Sequence, residues 1–493
     1  SRTMIVPLSI ISALQPVREI DQHYGIRELF LKEPEHWTLP RCPGLEGGTG
    51  LLSWDRFFRT VDSLFKWCQR RRILPWRRRA LAAAENWMLA RFKHSDGLGA
   101  IFPPIVFSLV ALKALGYEDD SEPVVECRRQ LELLVIDDEA TGTTRLQPCK
   151  SPVWDTAITL RALSAAGVGS ARSAMRCGID WLLNRQTNRK GDWAETVSAE
   201  PGGWYFEYAN DFYPDVDDTA MVLMALQTQF DTTLPASGAL PPDLTLVRAD
   251  SEDDDEETPL PLCDIDDESD NLRRSAEGIE RGLRWMLAMQ NDDGGWGAFD
   301  RNNDHQFLCH VPFADHNAMI DPSTPDLSGR VLESLGQLGR RIGDPAVDRG
   351  VAYMRKSQEA DGSWFGRWGV NYIYGTWQSL VGLLEVGVSA DDPAVEAGVN
   401  WLLAHQQSCG GWGESPASYD RPGLRGQGIP TASQTAWALL ALIAAGLENH
   451  PAVTRGIRYL LNTQNRDGTW TETEYTGTGF PRVFYLRYHY YPI

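Results

Sequence analysis

Three carboxylates within four residues carry the sharpest chemistry in this sequence. Pro214-Asp215-Val216-Asp217-Asp218-Thr219-Ala220 stands at the head of an apolar, helix-forming stretch. A single aspartate there would be an N-cap and need no further reason. Three at a buried helix mouth are costly: like charges that close cannot all ionise, so one keeps its proton near neutral pH. A proton held in a water-poor pocket is what an acid catalyst requires. The positive end of the helix stabilises the conjugate base and so strengthens the acid. Such strength matters for a very weak base, such as an alkene.

Other charged runs read differently. Residues 251–270, SEDDDEETPLPLCDIDDESD, hold eleven acidic residues and no basic one. Within them Asp266-Asp267-Glu268-Ser269-Asp270 has the D-D-x-x-D spacing of a magnesium–diphosphate site. No apolar helix lies beneath it and no second metal motif accompanies it. A solvated loop at about 250–272 is therefore expected, with no metal and no cofactor. Residues 51–80, LLSWDRFFRTVDSLFKWCQRRRILPWRRRA, carry nine Arg or Lys and two Asp among Leu, Phe and Trp. A basic, aromatic amphipathic helix on a chain of net charge −20 suggests an anionic membrane surface as partner; an ordinary exposed helix is the plain alternative. The same net charge argues against nucleic acid. Eight cysteines, with no C-x-x-C pair and no metal-ligand spacing to histidine, suggest free thiols in a reducing compartment, the cytoplasm. No apolar run approaches the roughly 18 residues of a spanning helix.

The elements that must position the acid are written as repeats. One unit is an amphipathic segment ending in Gln, a Gly-containing turn and Trp. It occurs as RCGIDWLLNRQTNRKGDW (176–193), RGLRWMLAMQNDDGGW (281–296), RGVAYMRKSQEADGSW (349–364), AGVNWLLAHQQSCGGW (397–412) and RGIRYLLNTQNRDGTW (455–470), with a weaker copy at 84–99. The second unit is an apolar helix that opens on a small hydroxyl residue: WDTAITLRALSAAG (154–167), DDTAMVLMALQ (217–227), GTWQSLVGLLEVG (375–387) and QTAWALLALIAAG (434–446). Apolar residues at i, i+3, i+4 and i+7 give the helical period; Asp, Ser or Thr supplies N-caps, and Gly the stops. The second set is apolar nearly all round, so it is buried on all sides. Half-exposed helices alternating with fully buried ones predict an all-α fold, an α/α barrel or toroid. The Gln amide is expected to bond orphan backbone groups at adjoining helix ends, with the Trp ring packed over it. The repeat tryptophans account for part of the eighteen and are read as structural.

The D-x-D-D-T-A element, the five Gln…Trp turns and GSWFGRWGVNYIYGT (362–376) together resemble the squalene–hopene cyclases, and the likeness runs from MIVPLSI to TGTGFP. The resemblance implies proton-initiated polycyclisation of squalene, or a close polyprenoid, to a hopene- or hopanol-type product on an (α/α) double barrel. It implies that Asp217 is the proton donor, that Asp215 and Asp218 hold and tune the proton, and that Tyr374 relays a proton through water. Arg330, in DPSTPDLSGR, stands where relatives commonly carry His and would be the charge partner of the aspartates; unlike His it cannot shuttle a proton. Asp321 and Asp326 match acidic positions of the family nearby and are taken with the substrate site. Trp154, Phe206, Phe299, Trp368, Phe480, Phe484 and Tyr488 would line the cavity, with Tyr372 and Tyr491 close by. Aromatic faces there stabilise a growing cation by about 0.5–2 kcal/mol each, where a nucleophile would trap it. Phe299 replaces a frequent Tyr. Phe102, before Pro103-Pro104, replaces a Gln that in some relatives lies near the terminating water, which leaves the balance of alkene and alcohol open.

These readings place residues 1–118 in the smaller barrel and 119–493 in a catalytic (α/α)6 barrel. The protein would be bacterial and peripheral, on the cytoplasmic face of a membrane through 51–80, with a homodimer left open. Its ends read as cut, Ser1 in mid-helix and Ile493 without a polar tail, so the chain alone is expected to lack turnover. Three rivals stand beside this reading. An inverting glycosidase on an (α/α)6 barrel would need carboxylates apart and a polar groove. A non-catalytic toroid would be indifferent to the loss of Asp217. A related class II cyclase with another polyprenoid substrate is the third, and the sequence does not separate it from the first reading.

Overall fold

Helical periodicity and caps produce fifteen α-helices and two short hairpins among the described residues. The structure is a computed structural model that describes residues 2–25, 27–32, 36, 53–71, 73, 75–138, 142–168, 173–230, 268–311 and 319–493. The expected acidic loop lies outside these residues except for its last few positions, and so do Asp266, Asp267 and, in the basic segment, Arg72.

The chain forms two compact units, residues 1–150 with 304–320, and residues 151–303 with 321–493. The division falls after Lys150, where the sequence reading had divided near 118. The first unit holds α1 (Arg2–Leu14), α2 (Trp54–Arg70), α3 (Arg77–Ala90), α4 (Phe102–Leu115), α5 (Glu122–Glu132) and the hairpin β1 (Val135–Asp138) to β2 (Thr143–Leu146). α4 packs on both α1 and α5, around Ile10, Met88, Leu98, Ile105 and Leu112, which is why α5 stands with this unit.

The second unit alternates inner and outer helices. The inner set is α6 (Pro152–Ala165), α8 (Val216–Gln227), α10 (Pro325–Gln337), α12 (Tyr372–Glu385) and α14 (Ala432–Ala444), each packed on the next in that order. The outer set is α7 (Ser173–Leu183), α9 (Glu268–Ala288), α11 (Pro345–Ser357), α13 (Pro393–Ala404) and α15 (Pro451–Thr463). Every residue from Pro325 to Gly336 of α10 is buried, as an inner helix requires. After the hairpin β3 (Gly477–Phe480) to β4 (Phe484–Leu486), the last segment lies against both ends of the inner row. The Tyr488 hydroxyl donates to Ser151 Oγ beside α6 at 3.1 Å, and Tyr491 meets Trp437 of α14 edge-on at 5.6 Å.

The repeat works by a different division of labour from the expected one. The tryptophan adds a side-chain donor to a carbonyl in the last turn of the outer helix before it, and the glutamine bonds the first turn of the outer helix after it. Trp296, Trp364, Trp412 and Trp470 donate their indole N–H to Met286, Met354, Leu402 and Leu460, each in the last turn of the preceding outer helix, at 2.8–3.0 Å. The Gln amide ties its own turn to the next outer helix: Gln358 Nε2 donates to Gly362 O and Ala394 O, and Gln406 Nε2 to Gly410 O and Ala452 O. The small hydroxyl residue of each inner helix accepts from the Trp backbone: Thr219, Ser328, Thr376 and Thr435 Oγ take the N–H of Trp204, Trp296, Trp364 and Trp412 at 2.9–3.0 Å. The first repeat is therefore misread in the sequence. Its glutamine, Gln186, bonds Gly202 O, and its tryptophan is Trp204, which donates to Leu182 O. Trp193 sits in an inserted turn and meets Trp285 edge-on at 5.8 Å.

Candidate active site

The N-terminal halves of the inner helices converge on the acid. Trp154 lies in the first turn of α6, Asp217 in that of α8, Tyr374 in that of α12, and Arg330 and Trp437 in the second turns of α10 and α14. The local reason for α8 is its cap. Asp215, in extended backbone, accepts the Asp218 N–H at 2.7 Å and fixes the turn. Asp215 N–H in turn donates to Trp204 O at 2.8 Å, so the repeat turn holds the acid motif. Thr219 of the motif serves the repeat through the Trp204 bond described above.

Access separates the three carboxylates. Asp215 and Asp218 are buried, while 16% of the Asp217 side chain stays accessible. Burial pushes Asp215 up to about 7, against the bonds it accepts from Asp218. Asp218 is held well above its usual range by burial and by Asp215 beside it, so this pair shares a proton. Burial also raises Asp217; Arg330 pulls it down, and Asp326 and Glu333 push it up again.

Arg330 is almost wholly buried, and its Nε stands 2.6 Å from Asp217 Oδ1. The pair is a contact of charges more than an aligned hydrogen bond, since the N–H is not directed at the oxygen. Arg330 Nη2 donates to the Tyr374 hydroxyl at 2.8 Å. The guanidinium lies over Trp154 at 4.9 Å and Trp377 at 5.8 Å. Burial works against this charge, but Asp217, Tyr374, Glu333 and Tyr491 together outweigh it and keep the cation. Burial likewise drives the Tyr374 phenol far above its usual range.

An aromatic wall continues from the acid. Tyr374 meets Trp437 at 4.9 Å, and Trp377 stacks on Trp437 at 5.6 Å. Tyr491 packs on Tyr488 at 4.4 Å, and Trp154 faces Phe206 at 6.4 Å. A second group holds Phe299 edge-on to Trp368 at 6.3 Å and Phe480 beside Phe484 at 5.7 Å. Arg367 lies over Trp368 at 4.3 Å and Phe480 at 5.1 Å, so one face of each ring already meets a cation.

Residues 1–140 match the squalene-hopene cyclase N-terminal domain, and residues 150–236 and 252–493 the squalene-hopene cyclase C-terminal domain. The chain belongs to the squalene–hopene cyclase family. The squalene–hopene cyclase of Bradyrhizobium diazoefficiens is 41% identical over the whole chain and 68% of its own length. That of Alicyclobacillus acidocaldarius is 40% identical over the whole chain and 70% of its own length. Dammaradiene synthase of Dryopteris crassirhizoma is 36% identical over the whole chain and 68% of its own length.

Within this squalene–hopene cyclase framework the expected residues do not all meet. Asp217, Arg330, Tyr374, Trp154 and Tyr491 come together. Asp321 and Asp326 face backbone: Asp321 accepts from the N–H groups of Ala298, Phe299 and Asp300 at 3.2, 2.6 and 2.8 Å. Asp326 Oδ2 accepts from Arg367 and Trp368 at 2.7 and 2.8 Å. They hold the turns that present Phe299 and Trp368. Tyr372 lies against Phe365 at 6.1 Å and under Arg425 at 4.2 Å. The Tyr488 hydroxyl is bonded to Asp155. The sequence reading passed over Trp377 and Trp437, and also Glu333 and Arg161, whose pairing joins helices far apart in the chain. Trp377, three residues after Tyr374, carried a helical-spacing signal that could have been read.

Proposed function

We propose that this chain is a class II terpene cyclase that turns squalene, or a close polyprenoid, into hopene- and hopanol-type triterpenes. In this reading Asp217 gives its proton to a terminal alkene carbon. The C=C electron pair forms the new C–H bond, and the adjacent carbon becomes the cation that successive double bonds attack. The observation that carries the assignment is the single accessible carboxyl, Asp217, beside two buried ones and in contact with a fixed guanidinium. Burial and the neighbouring carboxylates raise its hold on the proton; Arg330 stabilises the carboxylate left behind. Tyr374, bonded to Arg330, holds the guanidinium in place. Trp154, Trp377, Trp437 and Tyr491 offer ring faces and no strong nucleophile to the cation. The direct test feeds squalene to the enzyme and identifies the products by mass spectrometry. Pentacyclic C30 products support the reading; unchanged squalene with turnover of another polyprenoid would move it to that substrate.

We further infer that the first unit belongs to the smaller barrel and that its α2 lies on a membrane. No helix among the described residues is long and apolar enough to cross one. On α2, Trp54, Phe57, Leu64, Phe65 and Trp67 are all exposed, among Arg56, Arg59, Lys66 and Arg70. Exposed aromatics with interleaved cations suit the anionic lipids of a cytoplasmic leaflet, and an insoluble substrate gives a reason to dock there.

A further inference from the structure

One to two turns further along the inner helices, a second set of side chains lies on the faces that carry the acid site. Arg161, Met221, Glu333 and Gln378 lie seven, four, three and four residues beyond Trp154, Asp217, Arg330 and Tyr374 on the same four inner helices. Those spacings put each pair on one helix face. Arg161 Nη2 of α6 stands 2.6 Å from Glu333 Oε1 of α10. Gln378 Nε2 of α12 donates to Glu333 Oε2 at 2.7 Å, and Arg161 Nη1 contacts Met221 Sδ of α8 at 3.3 Å. Glu333 is therefore bonded on both oxygens, with 7% of its side chain accessible against 27% for Arg161.

A buried ion pair is a poor way to hold four helices together, because apolar residues of the same volume do so at least as well. The order of charge gives this one a use. From the acid inward the groups run the Asp217 carboxyl, the Arg330 cation, the Glu333 carboxylate and the Arg161 cation, so Arg330 stands between two carboxyl groups. Negative charge on Glu333 opposes ionisation of Asp217, and Arg161 moderates that opposition. The other groups facing Asp217 are Asp215 and Asp218 on its own helix, Asp326 on α10, Tyr374 on α12 and Tyr491 from the last segment.

We propose that Glu333 and Arg161 are positioning residues that set the proton affinity of Asp217 through Arg330; this rests on Asp217 being the acid. Infrared titration of the full chain follows the protonated-carboxyl band that Asp217→Asn removes. Glu333→Gln should lower its midpoint by about 1 unit or more, and Arg161→Gln should raise it by a similar amount. Arg161→Lys should leave it at the wild-type value. With squalene in detergent micelles, the alkaline limb of kcat/KM should move in the same two directions. Shifts of the same sign, or an unmoved band in both charge variants, would overturn the proposal, as would a change in thermal stability alone. Should Glu333→Gln not fold, the two Arg161 variants decide: the proposal falls unless Gln raises the midpoint and Lys does not. Failure of the underlying reading is separate and visible, because Asp217→Asn would then keep its turnover.

Discussion

Asp217 differs from its two neighbours in access more than in charge, and access decides which carboxyl can reach a substrate. Asp217→Asn keeps the shape but gives up no proton. It should fold normally and lose turnover of squalene by several orders of magnitude; a loss of under ~1.4 kcal/mol in activation free energy, about tenfold, would sink the assignment. Arg330 is tested by charge. Arg330→His should keep substantial activity and Arg330→Leu should lose most of it, read as kcat/KM on the same substrate. Equal activity in Leu and Arg would remove Arg330 from the acid's support. Asp215 makes a prediction about stability. Its folded value of about 7 lies above the ordinary 3.8, so the protonated form favours folding. That contribution is present below about pH 4 and is lost as pH rises through about 7. Asp215→Asn keeps an oxygen for the Asp218 N–H, and its melting temperature should fall less than the wild type's between pH 5 and 8. The acid was legible because its carboxylates are neighbours in the chain. Glu333 was not, because its partner Arg161 lies on another helix and only the fold brings the pair together.

Between residue and whole, the repeat turn is the unit that carries the site. Each turn caps the outer helix before it through an indole N–H and seats the inner helix after it through a hydroxyl. The period of these turns was plain in sequence, since Gln, Gly and Trp recur at nearly fixed spacing. The bond assignments were not, because donors and acceptors lie on different helices. The first repeat shows the cost: an insertion puts Trp193 where the spacing expects the capping Trp, while Trp204 makes the bond. The two give opposite expectations. Trp204→Phe removes one of the two donors to Leu182 O, leaving the Arg185 N–H at 3.0 Å, and should cost about 0.5–1.5 kcal/mol in chemical denaturation. Trp193 Nε1 has no partner where it is buried, so Trp193→Phe removes an unsatisfied donor and keeps the ring against Trp285. It should lie within about 0.5 kcal/mol of the wild type or above it. Equal losses in the two variants would contradict the assignment of Trp204 to the repeat. Trp204→Phe should also blunt activity if the turn shifts, since the backbone carbonyl at 204 holds the Asp215 N–H.

At the scale of the molecule the question is where a hydrocarbon substrate is met. Large exposed apolar side chains scattered singly need no explanation. Those of α2 share one helix: Trp54 is 50% exposed, Phe57 54%, Leu64 59%, Phe65 60% and Trp67 51%. Trp76, beyond its end, is 71% exposed. The composition of 51–80 was legible in sequence because amphipathic periodicity is local. Exposure was not, since a helix with the same pattern could have packed its aromatics inward. The basic residues set the test. Each Arg near an anionic surface contributes about 1 kcal/mol, screened by salt over roughly 10 Å at 0.1 M. Changing Arg70, Arg71, Arg72, Arg77, Arg78 and Arg79 to Gln should therefore weaken co-sedimentation with phosphatidylserine-containing vesicles by well over tenfold. It should change binding to phosphatidylcholine vesicles little. Raising salt should weaken the wild type toward the variant. Changing Trp54, Phe57 and Trp67 to Ser should weaken binding to both kinds of vesicle, because apolar insertion does not depend on headgroup charge. Folding of each variant is checked by circular dichroism, since α2 also meets Phe307 through Trp54 at 5.7 Å. If both sets of variants sediment as the wild type does, α2 is an ordinary exposed helix.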